Sequence, residues 1–325
     1  MDSFIQNIAA AFGLKCKSVS RERFGHLCVL EDGGLVLVQK LQKAACGGHS
    51  EAQLEGISFQ HEVKEHLLNQ DFGTLDSFFS SVQTDAPYHK AGDDVFTASK
   101  HFDHPKANFS RADELLAVVE NLAKMHKTLL GANFTKSPFR RFDGLFSDTA
   151  AVQMAGLKKK IMKAGKFSDF DMLFLKGFSM FEKNMDVASV IDLRALGNNN
   201  NNVCHNLLKQ ENIFMGDAPI FTNFVMAGFG HPVQDLVYVV KRYLKAGHMG
   251  DLSLSRIFDA YNKHNPLEGV SLEGFCALLQ YPDKFIKLSK DYYSKKRNFA
   301  PITYLARMEE CFQRHDALEA YLKLR

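Results

Sequence analysis

Residues 203–224 hold this chain's nearest approach to a chemical motif. His205 and Asn212 stand seven positions apart, and the apolar run Ile213-Phe214-Met215 follows. Gly216-Asp217 then offers a turn, and Ile220-Phe221 leads to Asn223-Phe224. The plan is loop, strand, tight turn, strand. Phosphoryl transfer uses such a plan in the pattern H-x-D-x-x-x-x-N. The Asp accepts or orients the proton of the attacking hydroxyl, while the Asn and a second Asp placed before a Phe hold magnesium. His205 and Asn212 fit that spacing, but Leu207 stands at the proton-accepting position and Asn223 at the metal-binding one. Leucine takes no proton, a loss worth about 10² to 10⁴ in rate. Asn223 keeps a carbonyl oxygen but no charge, so a hard Mg²⁺ ion would lose an anionic ligand.

Other chemistries find less support. A phosphate cradle needs several glycines so that backbone N–H groups can approach the anion, and residues 18–30 contain only Gly25. No Ser-His-Asp order, zinc spacing or dinucleotide fingerprint occurs. The six cysteines (Cys16, Cys28, Cys46, Cys204, Cys276, Cys311) are scattered without a C-x-x-C pair, so reduced and mostly buried thiols are expected. With 40 Lys+Arg against 37 Asp+Glu the net charge is +3, too small to mark a nucleic-acid binder. No apolar run is long enough to cross a membrane. Residues 1–14 carry Asp2 and helical apolar spacing, and are expected to pack as a helix, not to serve as an export signal.

The elements that must position the motif can be read by periodicity. Residues 15–41 alternate and are rich in Val and Leu, with Asp32-Gly33-Gly34 as a turn, which predicts a hairpin feeding a further strand. Ser50 with Gln53 has capping-box spacing and predicts a helix to about Asn69. Two more strands are expected over 75–84 and 93–102. Beyond Pro105 the pattern turns helical, with Ser110 as the expected cap and an apolar face from Leu115 to Leu129. The asparagines at 198–202 are expected to form a surface turn. Helices are expected over 233–244, 254–263, 272–279 and 302–321.

With these motifs in place, the chain resembles the CotS family of spore-coat-associated proteins, which have the fold of aminoglycoside and choline kinases. Val38-Gln39-Lys40-Leu41 resembles the strand bearing the phosphate-pairing lysine, and Glu62 or Glu65 lies on the helix that would supply its acidic partner. Leu122-Ala123-Lys124-Met125-His126 is similar to the family's L-A-x-L-H helix end, and residues 228–236 to its G-x-x-x-P-x-x-D-L. Tyr281-Pro282-Asp283-Lys284-Phe285, running on to Tyr292-Tyr293, is similar to its Y-P-x-K-F-W helix. Taken by themselves, His126 reads as a core histidine and Asp235 as a helix-start carboxylate; the three tyrosines read as packing residues.

The resemblance implies an α+β, two-lobe protein-kinase-like fold. A small lobe of antiparallel sheet plus helix would span 1–104, with a hinge at about 101–104. A mostly helical large lobe would span 105–325 and carry the degenerate catalytic loop 203–225. The expected function is that of a catalytically impaired kinase-like protein acting by binding in spore-coat assembly or a related spore process. Its partners would be spore-coat or other sporulation proteins, and its place the cytoplasm or the coat. His205 and Leu207 are the degenerate catalytic positions; Lys40, Glu62, Asn212 and Asn223 mark a vestigial nucleotide site. No metal or other cofactor is expected. The alternative is a small-molecule phosphotransferase using ATP and Mg²⁺, with acids such as Glu211 substituting for the missing aspartates.

Overall fold

The computed structural model describes residues 2–23, 25–42, 49–136, 149–185, 202–245, 252–294 and 299–323. Cys46 and four of the asparagines, 198–201, lie outside these residues. The last of that run, Asn202, is buried and accepts the Gly230 N–H at 3.0 Å, so at this residue the expected surface turn gives way to a packed one. By internal packing the chain divides into two compact units, residues 1–142 with 200–235 and residues 143–199 with 236–325.

The first unit opens with helix α1 (Asp2–Ala10) and the strands β1 (Cys16–Glu22), β2 (Gly25–Leu30) and β3 (Leu35–Lys40). Helix α2 (Glu51–Asn69), strands β4 (His89–Ala91) and β5 (Asp94–Lys100), and helix α3 (Ala112–Leu129) follow. The five strands form an antiparallel sheet in the order β1-β2-β3-β5-β4. One face of it buries Cys28, Leu30, Val36, Val38, Phe96 and Ala98 against Ile5, Ile8 and Ala9 of α1 and the following Phe12. Each fully buried Val, Leu, Ile or Phe among them is worth about 1.5 to 3 kcal/mol. The α1 stripe thus anchors the N-terminal segment, as its periodicity implied.

Local signals held at α2, where Ser50 and Gln53 complete the capping box in both directions. They failed at two places. Residues 75–84 form no strand; Leu75 and Phe78 make only single bridges, to Phe221 and Ser99. Ser110 does not cap α3: the N-cap position is Arg111 without a side-chain hydrogen bond, and the Ser110 N–H donates instead to Asn108 Oδ1 at 3.0 Å. An Asx turn at Asn108 satisfies the backbone one step early and displaces the cap.

The rest of the first unit is the loop region: β6 (Val203–Cys204), β7 (Ile213–Met215), β8 (Pro219–Phe221) and β9 (Gly228–Phe229). β6 pairs with β9, and β7 with β8. On α3 the buried Asn121 donates to Pro219 O at 2.6 Å and to Thr74 Oγ1 at 2.9 Å, which ties the hairpin to the helix. Helix α6 (Val233–Lys245) begins in this unit and continues in the second.

The second unit is helical among its described residues, with α4 (Thr149–Ala164), α5 (Asp169–Met185), α6, α7 (Leu254–Asn262), α8 (Leu272–Gln280), α9 (Asp283–Tyr293) and α10 (Pro301–Lys323). Its centre is aromatic. Phe170 stacks on Tyr292 with centroids 3.7 Å apart, and Phe174 packs on Phe285 and Tyr293. The Tyr293 hydroxyl donates to Asp171 at 2.6 Å, and Tyr281 is buried. The tyrosines of the 281–293 segment are packing residues, as read from the sequence.

Candidate functional site

The 203–225 loop is held by one carboxylate. Asp235, in the first turn of α6, is fully buried, and its Oδ2 accepts the His205 N–H at 2.6 Å and the His126 Nε2–H at 3.1 Å. Its Oδ1 accepts the Asn206 N–H at 2.8 Å. Burial alone would raise its pKa; the His126 hydrogen bond and charge, with His205 and the Asn206 N–H, outweigh that and hold it below the usual carboxylate range. Hydrogen bonds to an ionised group are worth about 1.5 to 3 kcal/mol each, so this residue fixes the backbone at 205–206, where Asn206 is left-handed with φ of 59°. Both His126 and Asp235 therefore serve structure.

His205 is buried with both ring nitrogens engaged. Nε2 donates to Thr222 O at 3.0 Å, and Nδ1 accepts the Leu207 N–H at 3.2 Å. Burial pushes its pKa down against the pull of Asp235, in keeping with a neutral imidazole acting as a strut between the loop and Thr222, just after β8. Leu207 is half-buried, and its backbone is used at both ends: its carbonyl accepts Asn212 Nδ2 at 2.9 Å. The loop geometry survives without a carboxylate at 207.

Asn212 and Asn223 come together. Thr222 N–H and Oγ1–H both donate to Asn212 O, and Asn223 Nδ2 donates to Asn212 Oδ1 at 3.3 Å. Asn223 has φ 64° and ψ 63°, the left-handed region that Asn and Asp tolerate best among residues with a side chain. A metal here would be offered amide oxygens only, and one of them already accepts an N–H. The pair does not fit Mg²⁺.

Lys40 is not paired as expected. Its Nζ lies 2.5 Å from Asp94 Oδ2, and the lysine side chain is 54% exposed. The pleat explains it: Val36, Val38 and Lys40 share one face of β3, the face packed on α1, and Gln39 points to the other. Glu62 accepts the N–H groups of Thr135 at 2.8 Å and Lys136 at 3.1 Å, together with the Thr135 hydroxyl. Glu65 lies 4.0 Å from His61 Nδ1. Neither meets Lys40. Gly25 also serves the sheet, since a Cβ there would fall 2.5 Å from Val38 O. Lys40 is thus held by an ion pair within the sheet, and Gly25 by the close approach of β3.

Sequence reasoning missed Lys64. It lies on the buried stripe of α2 with Ile57, Gln60 and Leu67, and donates to Asp76 Oδ2 at 2.9 Å. Its ammonium sits 3.8 Å from the Phe78 ring centre and 5.5 Å from that of Phe224, the residue after Asn223. Burial pushes its pKa down, and Asp76 opposes that. The signal was a lysine falling at the 57, 60, 64, 67 positions of a helical stripe.

Among the described residues one cluster has metal-like composition: ligand atoms of His126, Cys204 and Asp235 lie within 4.8 Å of one another. Burial and Asp235 push the Cys204 thiol well up, so it stays protonated, and the Asp235 oxygens already accept three N–H groups. The cluster is a hydrogen-bonded anchor.

Solved structures similar to this chain share its architecture at low identity. An aminoglycoside phosphotransferase from Alicyclobacillus acidocaldarius aligns with TM-score 0.73 and 12% identity, over 98% of this chain and 94% of that one. The spectinomycin phosphotransferase APH(9)-Ia, in complex with ADP and spectinomycin, gives 0.61 and 10%, over 98% and 97%. The choline kinase LicA from Streptococcus pneumoniae gives 0.51 and 13%, over 97% and 98%. The fold is that of the kinase-like phosphotransferases. No curated protein matches the chain at a significant level. A family profile described as "spore coat putative kinase YutH" matches residues 6–324. With its motifs, its fold and that match running nearly end to end, the chain belongs to this spore-coat kinase-like family.

Proposed function

We propose that this chain is a kinase-like protein impaired in phosphoryl transfer that acts by binding, in spore-coat assembly or a related spore process. The observation that carries the reading is the contrast within one loop. Asp235, His126 and His205 keep its backbone anchored, while Leu207 offers no base and Asn223 donates its amide into the other candidate metal ligand. Partners would be coat or other sporulation proteins, met in the cytoplasm or the coat. The division into lobes at about 104 and the absence of a cofactor belong to the same reading.

Phosphotransfer to a small molecule with ATP and Mg²⁺ requires a substitute acid. Glu211 is exposed, and its charge acts on Lys106, whose pKa burial lowers to about 8 against the pull of Glu211 and Glu22.

The test is a thermal melt and a calorimetric titration with MgATP, with and without EDTA. A ligand at 100 times its dissociation constant adds about 2.7 kcal/mol. No metal-dependent rise is expected; a clear rise abolished by EDTA would sink the proposal and restore the enzyme.

A further inference from the structure

Eight consecutive residues, 162–169, are exposed where α4 turns back into α5, and Gly165 makes the reversal with φ of 70°. Three apolar side chains stand out from this tip: Met162 and Met172 on the flanking helix ends, and Phe167 between them. At about 1.5 Å per residue, Met162 lies about 3 Å before the last residue of α4 and Met172 about 4.5 Å after the first of α5, so all three belong to the tip.

The start of α10 adds to the same end of the second unit. Buried Phe170, in the first turn of α5, meets Tyr304 of α10 with ring centres 6.1 Å apart, and Tyr304 meets Phe299 at 5.6 Å. Phe299 and Ile302 are exposed as well, and across the five apolar residues exposure runs from 38% to 70%. Scattered exposed apolar residues need no explanation, but five gathered at one end of a unit mark an interaction surface.

The charge around them is basic and free. Residues 158–172 carry five lysines against Asp169 and Asp171. Lys159, Lys160, Lys163 and Lys166 are exposed, and among the described residues their ammonium groups make no ion pair or hydrogen bond. Asp171 is turned inward, accepting the Ser168 hydroxyl at 2.7 Å and the Tyr293 hydroxyl at 2.6 Å. Asp291, at the end of α9, is paired with Lys287 at 3.0 Å.

Two features choose the partner. The apolar side chains project from a convex turn, so the partner must yield around them. The free cations are lysines, point charges on flexible stems that suit a diffuse negative surface, whereas arginine forks suit fixed carboxylates. Anionic phospholipid supplies both, with phosphates for the ammonium groups and acyl chain beneath them for Phe and Met. We infer that this end of the second unit docks on an anionic phospholipid surface, Phe167 and Met162 entering the headgroup layer between the four lysines. Among the described residues no helix is long and apolar enough to cross a membrane, so the contact is peripheral. The inference goes beyond the proposed function and does not depend on it.

The test is co-sedimentation of the full chain with vesicles of equimolar phosphatidylglycerol and phosphatidylcholine, against phosphatidylcholine alone. Saturable binding to the anionic vesicles is expected at about 0.1 M salt. It should be at least tenfold weaker on the neutral ones, and should fall at least threefold when about 0.5 M salt shortens the screening length. Lys163→Gln/Lys166→Gln should weaken it at least tenfold and Met162→Ser/Phe167→Ser at least fivefold, with thermal melts unchanged because all four positions are exposed. No binding at millimolar lipid, equal binding to both vesicles, or full binding by either double variant overturns the proposal. Soluble polyglutamate bound as tightly as the anionic vesicles would overturn lipid as the occupant and assign the surface to an acidic protein.

Discussion

Lys64 Nζ lies 2.9 Å from Asp76 Oδ2 with the lysine side chain only 1% exposed, so an ion pair between α2 and the segment after it is buried beside Phe78. Asp76 Oδ1 is buried without a hydrogen-bond partner among the described residues. Desolvating two charges costs several kcal/mol each, and their attraction repays this only while both are present. Lys64→Met or Asp76→Leu alone should therefore lose about 3 to 5 kcal/mol in chemical denaturation. The double variant Lys64→Met/Asp76→Leu should recover most of it. Additive losses in the double variant would show that the residues do not act as a pair.

Acid should weaken the protein as soon as pH falls below the ordinary histidine range. Burial, with His126 next, pushes His231 from 6.5 down to about 4, and His205 shifts the same way. A histidine whose folded pKa lies below its unfolded value gives stability that is complete above about pH 6.5 and is lost as pH falls towards about 4. At about 1.4 kcal/mol per pKa unit, His231 accounts for a loss of about 3 kcal/mol across that window. His231→Asn keeps an acceptor for the Val233 N–H, which His231 Nδ1 now receives at 3.2 Å. Its stability should be flatter between those pH values; a wild-type slope in this variant would refute the assignment.

Close packing in the second unit gives a simpler test. A Cβ on Gly177 of α5 would fall 2.6 Å from the Phe285 ring and 2.8 Å from that of Phe312. Overpacking a filled core costs about 1 to 3 kcal/mol. Gly177→Ala should show that loss in urea, whereas Gly156→Ala, with open space around the added carbon, should not.

Much of this was legible because it was local. The Ser50 cap, the turn at Asp32-Gly33-Gly34 and the 205–212 spacing are set by neighbours in sequence, and they appear as read. Residues 75–84 were not legible, since they pair singly with distant Ser99 and Phe221. The role of Lys40 turned on a single step of the β pleat, which places Gln39 and not Lys40 on the face away from α1. Asp235 as the anchor of the loop required knowing that 126, 205 and 235 converge, which no spacing encodes.

The two lost carboxylates should separate when restored. Leu207 is half-buried and holds the loop through its backbone, so Leu207→Asp should cost only about 1 to 2 kcal/mol and leave the fold intact. Asn223→Asp is nearly isosteric and its left-handed backbone suits Asp, yet it replaces the N–H that Asn212 Oδ1 accepts at 3.3 Å by a carboxylate oxygen. Asn212 cannot answer by turning its amide, because its Nδ2 is held by Leu207 O at 2.9 Å. Two oxygens then face each other, and in EDTA the variant should lose about 1 kcal/mol or more. A hard cation between them relieves that repulsion, so millimolar Mg²⁺ should restore the loss in Asn223→Asp and leave wild type and Leu207→Asp unchanged. The measurement is chemical denaturation of all three proteins with Mg²⁺ and with EDTA. A wild type stabilised by Mg²⁺ as much as the Asn223→Asp variant would mean that Asn223 was never a disabled metal position.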